Sequence, residues 1–231
     1  MAKTTLMLGS IGVIVESSDI QRQAYNDAMR EAGLKWQWNR DTYADLLLQT
    51  GGKERLAHLA AATSTDLPQD VIDQIHARKM VLACARMVSQ GVKLRPGIAA
   101  LAKLAKSRGM KLAFVTTTYQ PHIDAVFACA GAELTADDFD YVGVHGKVAL
   151  GKPAPDAYLA ALTALGAKAE DALAFEDTAI SVMAAKRANI DVVATPGAIS
   201  VGQDFWQADL VVANLADGAG VDARVLKMLD Q

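Results

Sequence analysis

The sequence predicts an α/β protein: a doubly wound parallel sheet with a block of helices inserted after its first strand. Short, nearly continuous apolar runs alternate with helical stretches along most of the 231 residues. Such runs suit strands covered by helices on both faces. The alternation fails once, between about residues 19 and 90, where helices follow one another with no credible strand. The chain is also long enough for one large core and a smaller insert.

The first strand is read at Thr5–Leu8. It runs into Gly9-Ser10-Ile11-Gly12-Val13, read as an exposed loop that leads to a helix. That helix lies in "SSDIQRQAYNDAMREAG", with Ser18 or Asp19 as its N-cap and Gly33 as its stop. Helical spacing recurs over 41–49, 53–62 and 68–90. Pro96-Gly97 is a turn that opens the next helix, which ends at Gly109. Strands are then expected at 111–116, 141–144, 172–175, 191–195 and 209–212. Residues 1–16 and 92–231 are thereby assigned to a core domain and 17–91 to a helical domain.

Composition narrows the function. The chain is 52% hydrophobic and 21% charged, as in packed globular proteins. A net charge of −3 without a Lys/Arg run argues against nucleic acid as a partner. Cys84 and Cys129 lack a C-x-x-C partner and are read as buried thiols in a reducing compartment. No apolar stretch approaches the roughly 20 residues of a membrane span, and no export signal opens the sequence. A cytoplasmic protein that does not engage a membrane is expected. His58, His76, His122 and His145 are scattered without metal-ligand spacing, so solvated or capping roles are expected. Trp36 and Trp38 are expected to pack the helical domain, or else to form an aromatic partner surface.

In open parallel sheets, ligands sit beyond the carboxyl ends of the strands. The first strand delivers Gly9, Ser10 and Ile11 there, the second Thr116, Thr117 and Thr118, and the fourth Glu176, Asp177 and Thr178. Lys152 precedes a Pro-x-Pro-Asp helix start in "GKPAPDAY". Each piece has a structural explanation: β-propensity for the threonines, an ordinary helix opening for Pro-Asp, acids at a helix N-terminus for Glu-Asp. Together they would hold a dianionic phosphate, with Thr116 and Lys152 on its oxygens and the acids on a Mg²⁺ that neutralises it. "TGGKERL" adds Lys53 and Arg55 beside a Gly-Gly bend. It is not a P-loop, because the first glycine and the Ser/Thr after lysine are absent.

The order "AFVTTT", "GKPAPDAY", "AFEDT" with helices after the first strand resembles the haloacid dehalogenase superfamily. "EAGLKWQW" and "TGGKERL" resemble its sugar-phosphate branch, the CbbY and β-phosphoglucomutase-like phosphatases. The resemblance implies a Rossmann-like core, a helical cap over residues 17–91, and Mg²⁺ as cofactor. It also implies phosphate contacts from Thr116, Thr117 and Lys152, metal ligation by Glu176, Asp177 and the backbone carbonyl of Ile11, and substrate contacts from Lys53 and Arg55. The family's first motif is Asp-x-Asp-Gly-Thr. With Gly12 as its glycine, the nucleophile position holds Gly9, the acid/base position Ile11, and the threonine position Val13. Glu16-Ser17 and the following helix keep this register. Ser181 and Asn189 stand where the family has glycine.

Neither Gly9 nor Ile11 can attack phosphorus or exchange a proton. Two readings are open. In one, the chain is a pseudoenzyme that keeps a phosphate site with weakened metal binding, or offers its helical surface to a protein. In the other, it is an active Mg²⁺-dependent hydrolase of small phosphorylated metabolites using a non-standard nucleophile, such as water held by Asp177. Glu16 is the one nearby acid weighed as a replacement, and its distance from the strand end argues against it. Restoring both aspartates (G9D/I11D) is expected to return some activity if the rest of the site is intact.

Overall fold

The computed structural model describes residues 2–9, 11–49, 51–218 and 220–231. Ser10 at the end of the first strand and Thr50 of "TGGKERL" lie outside the described residues. In chain order the elements are β1 (Thr5–Leu8), α1 (Ile11–Ile14), α2 (Ser18–Glu31), α3 (Arg40–Leu46), α4 (Gly52–Ala62), α5 (Gln69–Ser89) and α6 (Ile98–Ser107). Then come β2 (Lys111–Phe114), α7 (Gln120–Ala130), β3 (Tyr141–Val142), α8 (Asp156–Leu165), β4 (Ala172–Glu176) and α9 (Ala179–Arg187). The chain closes with β5 (Asp191–Ala194), β6 (Leu210–Val211), β7 (Ala216–Asp217), β8 (Gly220–Val221) and α10 (Ala223–Leu229).

Among the described residues, six strands form one parallel sheet in the order β3-β2-β1-β4-β5-β6. The first strand is thus central, with Leu8 registered between Phe114 and Phe175. Alternate side chains of a strand leave by opposite faces. Leu6, Leu8, Phe114 and Phe175 enter one apolar cluster with α6, α7 and α10. Met7, Ala113 and Ala174 enter a second with Tyr158 and Val182 of α8 and α9. Both faces being covered, the strands carry no polar alternation. A third cluster, around Tyr25, Met29, Trp38, Tyr43, Leu56 and Ile75, belongs chiefly to α2–α5. Trp38 is buried in it and Trp36 packs against it, so the indole of Trp38 is not surface.

Several local expectations need correction. The segment after β1 is no exposed loop. Ile11–Ile14 makes one helical turn, and Val13, Ile14 and Val15 are buried in the first cluster. Val15 also bridges Leu94 antiparallel. Burial of Val13, Ile14 and Val15 outweighed the poor helix propensity of β-branched residues and of Gly12. The cap of α2 is Ser17, one residue early. β2, β3 and β5 stop one or two residues short of the expected ends, and the β7–β8 hairpin was not foreseen. The cysteines are half-buried rather than buried; both are free. No helix among the described residues is long and apolar enough to cross a membrane.

Candidate functional site

The carboxyl ends of β1, β2 and β4 face α2, α4 and α5 across a cavity of about 490 Å³. Its floor is built on backbone. The Gly9 N–H donates to the Phe175 carbonyl at 2.9 Å, continuing the β1–β4 ladder one residue past the strand. The Lys152 ammonium donates to the Gly9 carbonyl at 2.7 Å and to Glu176 Oε1 at 2.5 Å. The Tyr158 hydroxyl donates to the same oxygen at 2.6 Å. Glu176 and Tyr158 have no exposed surface. Burial first, and the Glu176 charge next, hold the Tyr158 phenol well above its usual range, so it keeps its proton and remains a donor. A Cβ built at Gly9 would overlap the Glu176 carboxylate and stand 2.5 Å from the Tyr158 oxygen. The space a side chain at position 9 would need is therefore filled by Glu176.

Gly12 shows the same relation to the other acid, since a Cβ there would overlap the Asp177 carboxylate. Arg95, which the sequence reading did not single out, fixes this turn. Its guanidinium donates to the Gly12 carbonyl at 2.8 Å and to the Thr195 carbonyl at 2.7 Å. Ile11 lines the cavity, and its carbonyl accepts from the Val15 N–H at 2.9 Å. Thr116, Thr117 and Thr118 form the β2 side; Thr116 Oγ1 accepts from the Thr118 N–H at 3.1 Å. Glu16 does not line the cavity. Its carboxylate accepts from the Ser18 N–H at 2.8 Å and the Ala198 N–H at 2.7 Å, tying the start of α2 to the loop after β5. Ser181 accepts from the Thr178 hydroxyl at 2.9 Å, and Asn189 has φ of 59°, a left-handed position that asparagine tolerates in place of glycine.

The opposite wall carries Lys53 and Arg55 at the start of α4. Lys53 pairs with Asp73 at 2.8 Å, and Arg55 Nε donates to the Leu46 carbonyl at 2.9 Å. Gly52 must be small, because a Cβ there would stand 2.5 Å from His76 Nε2.

Further along the wall lie residues that sequence reasoning missed: Gln21, Tyr25, Lys79 and Tyr119, with three of the histidines expected to be solvated or capping, His76, His122 and His145. His76 and His122 are buried instead. His122 Nε2 lies 2.6 Å from the Gln21 amide nitrogen. Desolvation pushes His76 down to about 4 and His122 to about 3, and the Lys79 charge adds to both. Lys79 itself is lowered to about 7 by burial; its Nζ stands 4.8 Å from the Tyr25 ring centroid. His145 and His58 are exposed as expected, and His145 also stacks on Tyr119 at 4.0 Å. A signal existed. Ile72, Ile75, His76, Lys79 and Ala83 share the buried stripe of α5 at helical spacing.

A cleft at the carboxyl edge of a doubly wound sheet, roofed by helices inserted after the central strand, is the place where open α/β proteins take their ligands. The chain belongs to the haloacid dehalogenase-like hydrolase family, whose sequence profile matches residues 11–189. Within it, the chain is CbbY-like. It is 36% identical to protein CbbY of Rhodobacter capsulatus over 208 residues, 90% of this chain and 92% of that protein. It is 38% identical to the plasmid-borne CbbY of Cupriavidus necator, over 90% of this chain and 84% of that one. A variant of CbbY from Rhodobacter sphaeroides, solved in complex with xylulose-(1,5)-bisphosphate, superposes with a TM-score of 0.89 at 32% identity. That match covers 99% of this chain and 100% of the other.

The resemblance implied Mg²⁺, and the donor set can be tested for it. Mg²⁺ demands near-octahedral oxygen donors, usually with one or two carboxylates. Here Glu176 is buried and accepts from both Lys152 and Tyr158. The Ile11 carbonyl serves its own helical turn. Among the described residues, no three His, Cys, Asp or Glu side chains come together as a metal-binding group. The residues expected to ligate Mg²⁺ do not fit it as they stand: Glu176 is engaged by Lys152 and Tyr158, which leaves Asp177 as the carboxylate at this sheet edge among the described residues.

Proposed function

We propose that this chain binds a small phosphorylated metabolite in the cavity and does not turn it over. One observation carries the reading: the place for a nucleophile on β1 has no side chain, and a buried, hydrogen-bonded Glu176 fills it. In-line attack on phosphorus needs an anionic oxygen held against the leaving group. In an unrelated hydrolase, deleting the nucleophile lowered kcat by about 10⁶. Binding makes no such demand. Lys53, Arg55, Lys79 and Lys152 line the cavity, so nitrogen donors for phosphate oxygens are at hand on two of its walls. The threonines at the end of β2 supply hydroxyls for phosphate oxygens. The CbbY structures hold xylulose-(1,5)-bisphosphate in one case and phosphate in another, which supports a phosphorylated sugar as the ligand class. The separate apolar cluster of α2–α5 supports residues 17–91 acting as a cap on a core of 1–16 and 92–231. Two free cysteines suit a cytoplasmic setting, where a regulatory protein would be the partner that reads the bound state.

The competing reading is an active hydrolase with water as nucleophile. Asp177 on the cavity floor favours it, as the one acid placed to orient such a water. A Mg²⁺-supplemented phosphatase assay over a panel of sugar mono- and bisphosphates separates the two. No phosphate release above the protein-free blank is expected. Turnover near that of ordinary family members refutes the silent-site reading.

A further inference from the structure

The buried floor of the cavity is already charge-balanced by side chains. The Glu176 carboxylate lies between the Lys152 ammonium and the Tyr158 hydroxyl, with no exposed surface. Lys152 reaches past it to the Gly9 carbonyl, so its ammonium is anchored on both the β1 and β4 ends. The other acid, Asp177, shares its corner with the Arg95 guanidinium, whose charge it opposes. An acid buried in such a place needs a neighbouring cation, and the ion pair is tolerable only because further hydrogen bonds satisfy it. A divalent ion that took Glu176 as a ligand would have to compete with Lys152 and Tyr158 for its carboxylate, against the charge of the Lys152 ammonium. Glycine at position 9 is what makes the arrangement possible. Any side chain there would displace the Glu176 carboxylate from its two donors.

We propose that Lys152 stands in for the divalent cation in this chain: it neutralises Glu176 in the space beside Gly9, so the cavity takes its phosphorylated ligand with no metal ion. The proposal rests on the reading of this cavity as a binding site and adds that binding is metal-independent.

The test uses Mn²⁺ as a paramagnetic probe, titrated into the full chain and followed by the EPR signal of the free ion. The wild type is expected to show no site tighter than about 1 mM, a carboxylate-poor affinity. Lys152→Met removes the ammonium from Glu176, and the ion should then enter. Mn²⁺ affinity at least about tenfold above wild type, with a Mn²⁺-dependent rise in Tm, is the expected result. Micromolar Mn²⁺ binding by the wild type, abolished in Asp177→Asn, overturns the proposal. So does a folded Lys152→Met protein that binds Mn²⁺ no better than wild type. If that variant does not fold, the wild-type titration decides alone. Calorimetry with inorganic phosphate, in EDTA and in Mg²⁺, tests the parent reading separately. No heat in either buffer removes the binding reading. Binding that gains more than about threefold from Mg²⁺ keeps that reading and overturns this one.

Discussion

Position 9 needs a residue without a side chain because of what surrounds it. The carboxylate and phenol that would meet a Cβ are both fully buried and bonded to each other. Neither can move into solvent to make room. Gly9→Ala is therefore expected to destabilise the fold by about 1–3 kcal/mol, the usual range for overpacking a dense interior. Urea unfolding at pH 7 measures it; an alanine variant as stable as wild type would show that Glu176 yields easily. The same geometry revises the expectation for G9D/I11D. An aspartate at position 9 does not enter a vacant site. It sets a second carboxylate against Glu176, so this double substitution should lower stability further and release no phosphate.

At the scale of elements, α2, α5 and α7 meet around groups that are buried in neutral form. His122 on α7 faces Gln21 on α2; burial holds it down most, and a charge on Lys79 or His76 of α5 opposes its protonation further. The sign of the pH effect is set by the lowered values. Below about pH 6.5 the unfolded chain takes up protons that His76 and His122 refuse until about 4 and 3. Stability from these groups is present above the unfolded value and is lost as pH falls, by up to about 1.4 kcal/mol per pH unit for each histidine. Lys79 acts in another window: its penalty grows as pH falls from its usual range to about 7 and is then constant. Paired carboxylates such as Asp27 and Asp138 also lose stability in acid, so the wild-type curve alone cannot isolate the histidines. His122→Gln should shrink the stability difference between pH 7 and pH 5 by about 2 kcal/mol relative to wild type. Chemical denaturation at the two pH values checks it, and an unchanged difference would place the acid sensitivity elsewhere.

On the scale of the whole molecule, the cavity lies between the sheet edge and α2–α5, so a ligand there contacts both. Ligand at about 100 times its Kd should add about 2.7 kcal/mol to stability. For a chain of this size that is a rise in Tm of about 5–10 °C. A pentulose bisphosphate is expected to give such a rise in EDTA, and K53A/R55A to remove most of it. A flat melting curve for both proteins would mean that the wall cations serve structure alone.

Strand-forming runs, the interruption by helices and the clustering of Thr116, Lys152, Glu176 and Asp177 at one sheet edge were legible in the residues. Each depends on local periodicity or on the rule that ligands gather at strand ends. The absence of reactive groups at Gly9 and Ile11 was legible too, since it is a matter of side-chain chemistry. Its structural consequence was not. Whether position 9 is an empty pocket or a filled one depends on how Tyr158 and Lys152, more than 140 residues away in the chain, approach Glu176. His122 escaped for the same reason, whereas His76 and Lys79 lie on an apolar stripe of α5 that the residues did carry; only their neighbours come from other helices. The sequence determined which groups this protein has and along which edge they lie. Tertiary packing alone decided which are paired and which desolvated, because charge and burial in an interior are set by contacts between distant segments.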